Sequence, residues 1–279
     1  MAEVFVAGAG RIGVGIAQLL AENGISVCLY DNADPKKKWE QYLSKLSGLA
    51  QDGKISRKKL NAVTAGVFVS SDLNSARESN FVLEAIRESF EEKSSLFSIL
   101  NTICDSTTIF CSATASLSIA ALGSASGRSD RFAGMQFFPP VPLIDLCEIT
   151  PSLNTSEKTL NKLKGFADRI QKKSIVSRDF PGFTVNRQVI PVWNEAFYMI
   201  QDGVLPEDID SAMRLATEAH MGPLQLADYV GLDLVLSVMQ TLYSVTKDEK
   251  YHPCPLLSQM VEDGKLGCMC GQGVYTYGC

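Results

Sequence analysis

The chain predicts an α/β protein, with an N-terminal Rossmann-type doubly wound sheet and an all-helical C-terminal domain. Three observations predict it. Short apolar runs alternate with helical patterns through the first part of the chain, which implies a parallel sheet with helices on both faces. A glycine-rich turn stands between the first apolar run and the first helix. From Phe183 onward the pattern is helical, with no convincing strand. A length of 279 residues suits about two domains. The texture changes at Asp179-Phe180-Pro181-Gly182, so the expected division is residues 1–180 for the sheet domain and 181–279 for the helical domain.

The elements follow in order. Val4 to Ala7 is a short buried strand, and a helical period runs from about Ile12 to Asn23. Ile25 to Tyr30 is the second strand. Pro35 to about Val63 reads as one or two polar helices, interrupted near Asp52-Gly53. Val67-Phe68-Val69, Phe81-Val82-Leu83 and Thr108-Ile109-Phe110 are further strands. Ala133 to Phe138 and Ile144 to Ile149 are two more, joined by a proline-rich turn. In the second half, Asn186 to Gln201 is a helix, and Pro206-Glu207-Asp208 starts another with Pro in its first turn. Leu232 to Thr246 is apolar on more than one face and needs a partner, within the domain or from another subunit.

Composition excludes several classes. The net charge of −5 argues against a broad nucleic-acid surface. No run approaches ~18 uninterrupted apolar residues, so no membrane span is expected. Met1-Ala2-Glu3 leads straight into the first strand without a basic or Arg/Ser-rich leader, and Tyr277-Gly278-Cys279 is no peroxisomal address. The chain therefore reads as cytoplasmic. Of eight cysteines, those at 28, 104, 111 and 147 sit in or beside apolar runs, and those at 254, 268, 270 and 279 crowd the C-terminal end. Cys268-Met269-Cys270 is too tight for a zinc pair, so reduced thiols and no metal site are expected.

Gly8-Ala9-Gly10-Arg11-Ile12-Gly13 fits G-x-G-x-x-G. It follows a strand, opens a helix, and precedes Asp31 at the end of the second strand. Gly8 permits a tight turn, Gly10 lets the backbone approach a pyrophosphate, and Gly13 lets helix and sheet close up. The helix N-terminus offers free N–H groups to the phosphates. Asp31 would accept from the ribose hydroxyls and repel a 2′-phosphate, favouring NAD over NADP.

Further segments occur in order: Gly8 to Ala17, Val82-Leu83-Glu84-Ala85-Ile86, Asp130 to Gly134, Phe137-Phe138, Pro140-Val141-Pro142, Pro181-Gly182-Phe183, Asn186-Arg187, Glu195-Ala196, Gly222-Pro223 and Asp228 to Asp233. Together they resemble the L-3-hydroxyacyl-CoA dehydrogenases over nearly the whole chain. The resemblance implies a homodimer formed through the helical domains and an acyl-CoA site in an interdomain cleft. It also implies cofactor contacts from Gly8, Gly10, Arg11, Ile12, Gly13, Asp31, Ala85, Glu88 and Lys93.

The site residues depart from the family pattern. The family's base is a His held by a Glu, in a segment that usually reads H-F-F-N-P. Here it reads Gln136-Phe137-Phe138-Pro139-Pro140. The family's S-N-T-S-S reads Ser112-Ala113-Thr114-Ala115-Ser116, so its Asn is Ala113 and its substrate-contacting Ser is Ala115. An amide cannot exchange a proton near neutral pH as an imidazole can, although it can still orient a carbonyl. Glu148, the expected partner of the missing His, matches the pattern, as does Asn186. Glu148 and His220 are the two titratable candidates to replace the base. A structural Glu148 accepting from Gln136 and a loop-packing His220 are the plainer expectations. Gln136, Glu148, Asn186 and His220 are thus the candidate catalytic residues. Lys36-Lys37-Lys38 and Arg57-Lys58-Lys59 either pair with CoA phosphates or form a solvated helix face.

Three functions compete. The first is an NAD-dependent oxidoreductase with an altered substrate, such as an imine or activated carbonyl. The second is a non-redox cyclase, isomerase or lyase that uses Gln136 as an anchor. The third is a silent NAD- or acyl-binding protein. The retained cofactor turn favours the first.

Overall fold

The computed structural model describes residues 2–268 and 270–277. Met269, Gly278 and Cys279, which belong to the C-terminal cysteine segment, lie outside the described residues. The chain divides into two compact units, Met1–Asp179 and Phe180–Cys279.

The first unit runs β1 (Val4–Ala7), α1 (Arg11–Glu22), β2 (Val27–Tyr30), α2 (Pro35–Gln51), α3 (Arg57–Gly66), β3 (Val67–Ser70), β4 (Phe81–Glu84), α4 (Phe90–Ile103), β5 (Ile109–Ser112), α5 (Ile119–Ala125), β6 (Phe132–Phe137), β7 (Leu146–Pro151), α6 (Glu157–Arg169) and β8 (Lys173–Val176). The strands form one sheet in the order β3-β2-β1-β4-β5-β6-β7-β8. Every pairing is parallel except β6 with β7. The order reverses between β1 and β4, and a doubly wound sheet binds its ligand beyond the carboxyl ends of the strands at such a point. The glycine turn after β1 and Ala85 after β4 lie there.

Local chemistry accounts for most of these elements. β1 is buried throughout, as a central parallel strand must be. Ser56, Ser89, Ser118 and Ser156 each accept from the backbone N–H three residues on, capping α3, α4, α5 and α6. Two strands differ from expectation. β2 starts at Val27 rather than Ile25, because Ile25 N donates 3.0 Å to Leu20 O and ends α1. β7 starts at Leu146 rather than Ile144, because the buried Lys172 takes the turn's carbonyls: its Nζ lies 2.8 Å from Val141 O and 2.6 Å from Ile144 O. β8 is an addition that periodicity does not reveal. It is a four-residue strand, partly exposed, that pairs with β7 so that Ile175 lies beside Glu148.

The second unit is built from α7 (Val185–Gln201), α8 (Pro206–Thr217), α9 (Pro223–Val230), α10 (Leu232–Thr246) and α11 (Pro255–Glu262). α10 buries Leu232, Val235, Leu236, Val238, Met239 and Leu242, and packs on α7, α9 and α11. Partners for these buried faces are found within its own unit. Asp228 ties down the C-terminal segment, accepting from Val274 N, Tyr275 N and Tyr277 Oη, each at 2.9 Å.

Candidate active site

The glycine turn separates protein demands from ligand demands. Gly8 has φ +108°, and a Cβ there would lie 2.5 Å from Ala85 O. A Cβ on Gly13 would lie 1.7 Å from Gly8 O, so α1 can approach the turn only without one. A Cβ on Gly10 would meet nothing within 4 Å. The protein itself gives no reason for glycine at that position; a phosphate approaching the N-terminus of α1 does. The turn thus fits the dinucleotide. Gly10, Arg11 and Ile12 at the helix start, Asp31 and Ala85 are the residues that would hold it.

This contrast makes a prediction. Gly10→Ala should change stability by no more than about 0.5 kcal/mol. It should lower NADH affinity on the order of tenfold for each phosphate hydrogen bond displaced. Gly13→Ala should cost about 1–3 kcal/mol or more in stability. Urea denaturation and NADH fluorescence titration check both. Equal loss of affinity with no loss of stability in the two variants would contradict the division.

Asp31 follows β2 and reaches back to the turn. Its Oδ2 accepts from Ala9 N at 2.8 Å, its Oδ1 from Ala33 N at 2.9 Å, and Lys38 Nζ lies 2.9 Å from Oδ2. Burial pushes its pKa up, but the bonds from Lys38, Ala33 and Ala9 outweigh it and hold the carboxyl below its ordinary value. The basic triplets are partly spent inside the chain, since Lys59 pairs with Glu22 at 3.0 Å.

Lys93, expected along the cofactor cleft, is 1% exposed and turned inward. Its Nζ lies 2.6 Å from Glu84 Oε1, 3.2 Å from Ile86 O and 3.4 Å from Glu88 Oε2. Glu84 is fully buried and also accepts from Ser112 Oγ at 2.6 Å and Ile86 N at 2.7 Å. Burial nevertheless keeps the Glu84 carboxyl above its ordinary pKa. Glu88, also expected to line the cofactor cleft, is committed as well. Its Oε1 accepts from Thr114 Oγ1 at 2.5 Å, Ala115 N at 2.9 Å, Ser116 N at 3.1 Å and Ser116 Oγ at 3.0 Å. Glu88 thus fixes the segment after β5, and Lys93 holds Glu84, Glu88 and the Ile86 carbonyl together beneath it.

That segment is two-sided. Ser112, Thr114 and Ser116 are buried and bond to Glu84 and Glu88. The intervening positions 113 and 115 are alanines with no polar side-chain atom. Every hydroxyl of the stretch belongs to the anchoring side.

Gln136 on β6 lies directly opposite Glu148 on β7. Glu148 is fully buried and accepts from Ser177 Oγ just past β8. The Gln136 amide is 7% exposed, and its Oε1 is buried without a hydrogen-bond partner among the described residues. Two residues past Ser177, Asp179 accepts from Ile119 N at 2.9 Å and Ala120 N at 2.7 Å, and so holds the start of α5. Asn186 is 8% exposed in the first turn of α7. His220 is exposed on the loop between α8 and α9.

The structure thus groups the glycine turn with Asp31 and Ala85, Glu84, Glu88 and Lys93 with residues 112–116, and Gln136 with Glu148. Asn186 and His220 lie in the second unit. Sequence reasoning missed Ser177, Asp179, Lys172 and the structural role of Lys93. The hydroxyls at every second position of 112–116 are the one local signal of this anchoring network.

Comparison with known proteins places these features. Residues 3–180 match the family model "3-hydroxyacyl-CoA dehydrogenase, NAD binding domain", and residues 182–277 match its C-terminal domain. A Bacillus subtilis protein described as a probable 3-hydroxybutyryl-CoA dehydrogenase is 40% identical, over 99% of this chain and 97% of its own length. Pig mitochondrial hydroxyacyl-coenzyme A dehydrogenase is 37% identical, over 98% of this chain and 90% of its own length. Among solved structures, (S)-3-hydroxybutyryl-CoA dehydrogenase PaaH1 from Ralstonia eutropha matches with a TM-score of 0.85 at 35% identity, covering 100% of both chains. Mycobacterium tuberculosis FadB2 matches with a TM-score of 0.92 at 31% identity, covering 100% of this chain and 99% of that one.

Proposed function

Because the chain belongs to the 3-hydroxyacyl-CoA dehydrogenase family, with an NAD-binding N-terminal domain, we propose that it is an NAD(H)-dependent oxidoreductase of an acyl-CoA-like substrate that needs no strong base, such as an imine or activated carbonyl. The observation that carries this reading is the two-sided 112–116 segment. A pocket decaying at random would lose anchoring and reacting groups alike. Here Ser112, Thr114 and Ser116 keep every bond to Glu84 and Glu88, while 113 and 115 lack polar side chains. Glu148, without an imidazole, has the Ser177 hydroxyl on its carboxylate.

The residues define what the site can do. NAD(H) supplies the hydride acceptor or donor. Gln136 can orient a carbonyl or steady a developing oxyanion, but it cannot take the proton of an alcohol. Glu148 beside it places a carboxylate near the reacting group. Asn186 and His220 are the second unit's candidate contributions. Lys36, Lys37, Arg57 and Lys58 stay exposed and suit CoA phosphates. A homodimer would have to pack on the helical unit, where Leu205 and Leu215 are exposed.

Oxidation of 3-hydroxybutyryl-CoA should be very slow. Loss of a general base costs ~10²–10⁴-fold, so turnover should fall below about 0.1 s⁻¹ against a typical ~10 s⁻¹. NADH formation is the assay, beside NADH consumption across acyl-CoA thioesters bearing other reducible groups. Turnover near 10 s⁻¹ with the ordinary substrate would overturn the altered-substrate reading.

A further inference from the structure

The first turn of α2 is built against its own electrostatics. A helix N-terminus carries about half a positive charge and favours acids in its first turn. α2 has none there; Pro35 is followed by Lys36, Lys37 and Lys38. Asp34 caps the turn, accepting from Lys37 N at 3.1 Å. Lys38 reaches across to Asp31 Oδ2 at 2.9 Å. Three ammonium groups, with the Asp34 carboxylate among them, therefore stand beside the carboxylate at the end of β2.

Asp31 would discriminate against a 2′-phosphate by charge repulsion and by claiming the ribose hydroxyls. Both effects are weakened here. Its Oδ2 is shared between Ala9 N and Lys38, and its Oδ1 accepts from Ala33 N. The net charge presented by the Asp31–Lys38 pair is zero. A phosphate arriving at this corner meets the Lys38 ammonium paired with Asp31, and two exposed lysines, Lys36 and Lys37, against the one further carboxylate of Asp34. Lys38 is 40% exposed in its side chain, so its ammonium is open to solvent beside Asp31.

We propose that Lys38 is a cofactor-specificity residue: by neutralising Asp31 and offering its ammonium to a 2′-phosphate, it lets this chain bind NADP(H) nearly as well as NAD(H). Asp31 keeps its backbone bonds to the glycine turn in both complexes. The preference for NAD expected from Asp31 alone is thereby reduced to a small factor. The inference rests on the NAD-binding domain only, and stands or falls independently of the substrate reading.

The experiment is a fluorescence titration of NADH and NADPH against the full chain and its Lys38→Ala, Lys38→Gln and Lys36→Ala variants, at low and high salt. The parent should bind NADPH within about tenfold of NADH, with the NADPH affinity falling as salt screens the lysines. Lys38→Ala and Lys38→Gln should each widen the ratio by about tenfold or more while moving NADH by less than about threefold. Lys36→Ala, which removes a charge that touches no carboxylate, should widen it far less. Alanine and glutamine are good helix formers at this partly exposed position, so folding is not at issue. A parent ratio above about tenfold, an unchanged ratio in the Lys38 variants, or an equal shift from Lys36→Ala would each overturn the assignment.

Discussion

Gln136→His alone should leave oxidation of 3-hydroxyacyl-CoA close to the parent level, whereas adding Ala113→Asn, Ala115→Ser and Pro139→Asn should raise it by ~10²–10⁴-fold. A histidine at 136 recreates a base directly across from Glu148. That carboxylate is not idle, however: it already accepts from Ser177, and the new imidazole must compete for it. The substrate oxygen would still lack the hydroxyl missing at 115, and the pocket would lack the amide missing at 113. Pro139 has no backbone N–H and a fixed φ, so it cannot make the contacts of an asparagine. Groups that act as a unit are strongly non-additive, and restoring one returns little until the others are present. The quadruple variant keeps the anchoring side chains of this stretch. Positions 113 and 115 alternate with the hydroxyls bound to Glu84 and Glu88, so substitutions there remove none of those side-chain bonds. NADH formation by the single and quadruple variants decides the matter. Substantial activity in the single variant would mean that the substrate oxygen needs neither the hydroxyl nor the amide.

Lys93→Met should destabilise the first unit by about 3–5 kcal/mol, a large share of the ~5–15 kcal/mol typical of folded proteins. Lys93 and Glu84 are 1% and 0% exposed, and removing the ammonium leaves a buried carboxylate without its counter-charge. Replacing both members by neutral groups of similar size removes that penalty. Lys93→Met combined with Glu84→Gln should therefore recover much of the loss, which a double-mutant cycle in urea would measure. The pH dependence has a definite sign. The Glu84 pKa is already raised by burial, and losing Lys93 raises it further. An acid with a raised folded pKa is most favourable to folding below its unfolded value, about 4.3, and loses that benefit as the pH climbs through its folded value. The single variant should thus be least impaired in mild acid and worst at alkaline pH. A single variant as stable as the double would show that the ion pair contributes nothing.

The features legible in the sequence are those that local chemistry specifies. The helix expected over 12–23 is Arg11–Glu22, and that expected over 186–201 is Val185–Gln201. The glycine turn was readable because each glycine answers a constraint within a few residues of itself. β8 was not. Lys-Ser-Ile-Val is short, half-exposed and polar at one end, and only its pairing with β7 makes it a strand. Ser177 was invisible for the same reason, since nothing near it in the chain predicts a buried carboxylate alongside. Lys93 stands in Glu-Glu-Lys-Ser-Ser, which reads as a solvated helix surface. Its partner Glu84 ends a strand on the far side of a turn. Buried ion pairs formed between elements leave no periodic trace.

The two-sided segment after β5 has a consequence for how such a protein can diverge. Side chains that fasten the backbone alternate along a single short stretch with side chains that carry no such bond, so selection can act on one set without disturbing the other. A lineage can wander through substitutions at 113 and 115 while 112, 114 and 116 hold the scaffold at constant fitness for folding. Chemistry here is uncoupled from architecture one peptide unit at a time. That makes this stretch a ready path from one enzymatic task to another, and a natural place to randomise when new substrates are sought on this scaffold.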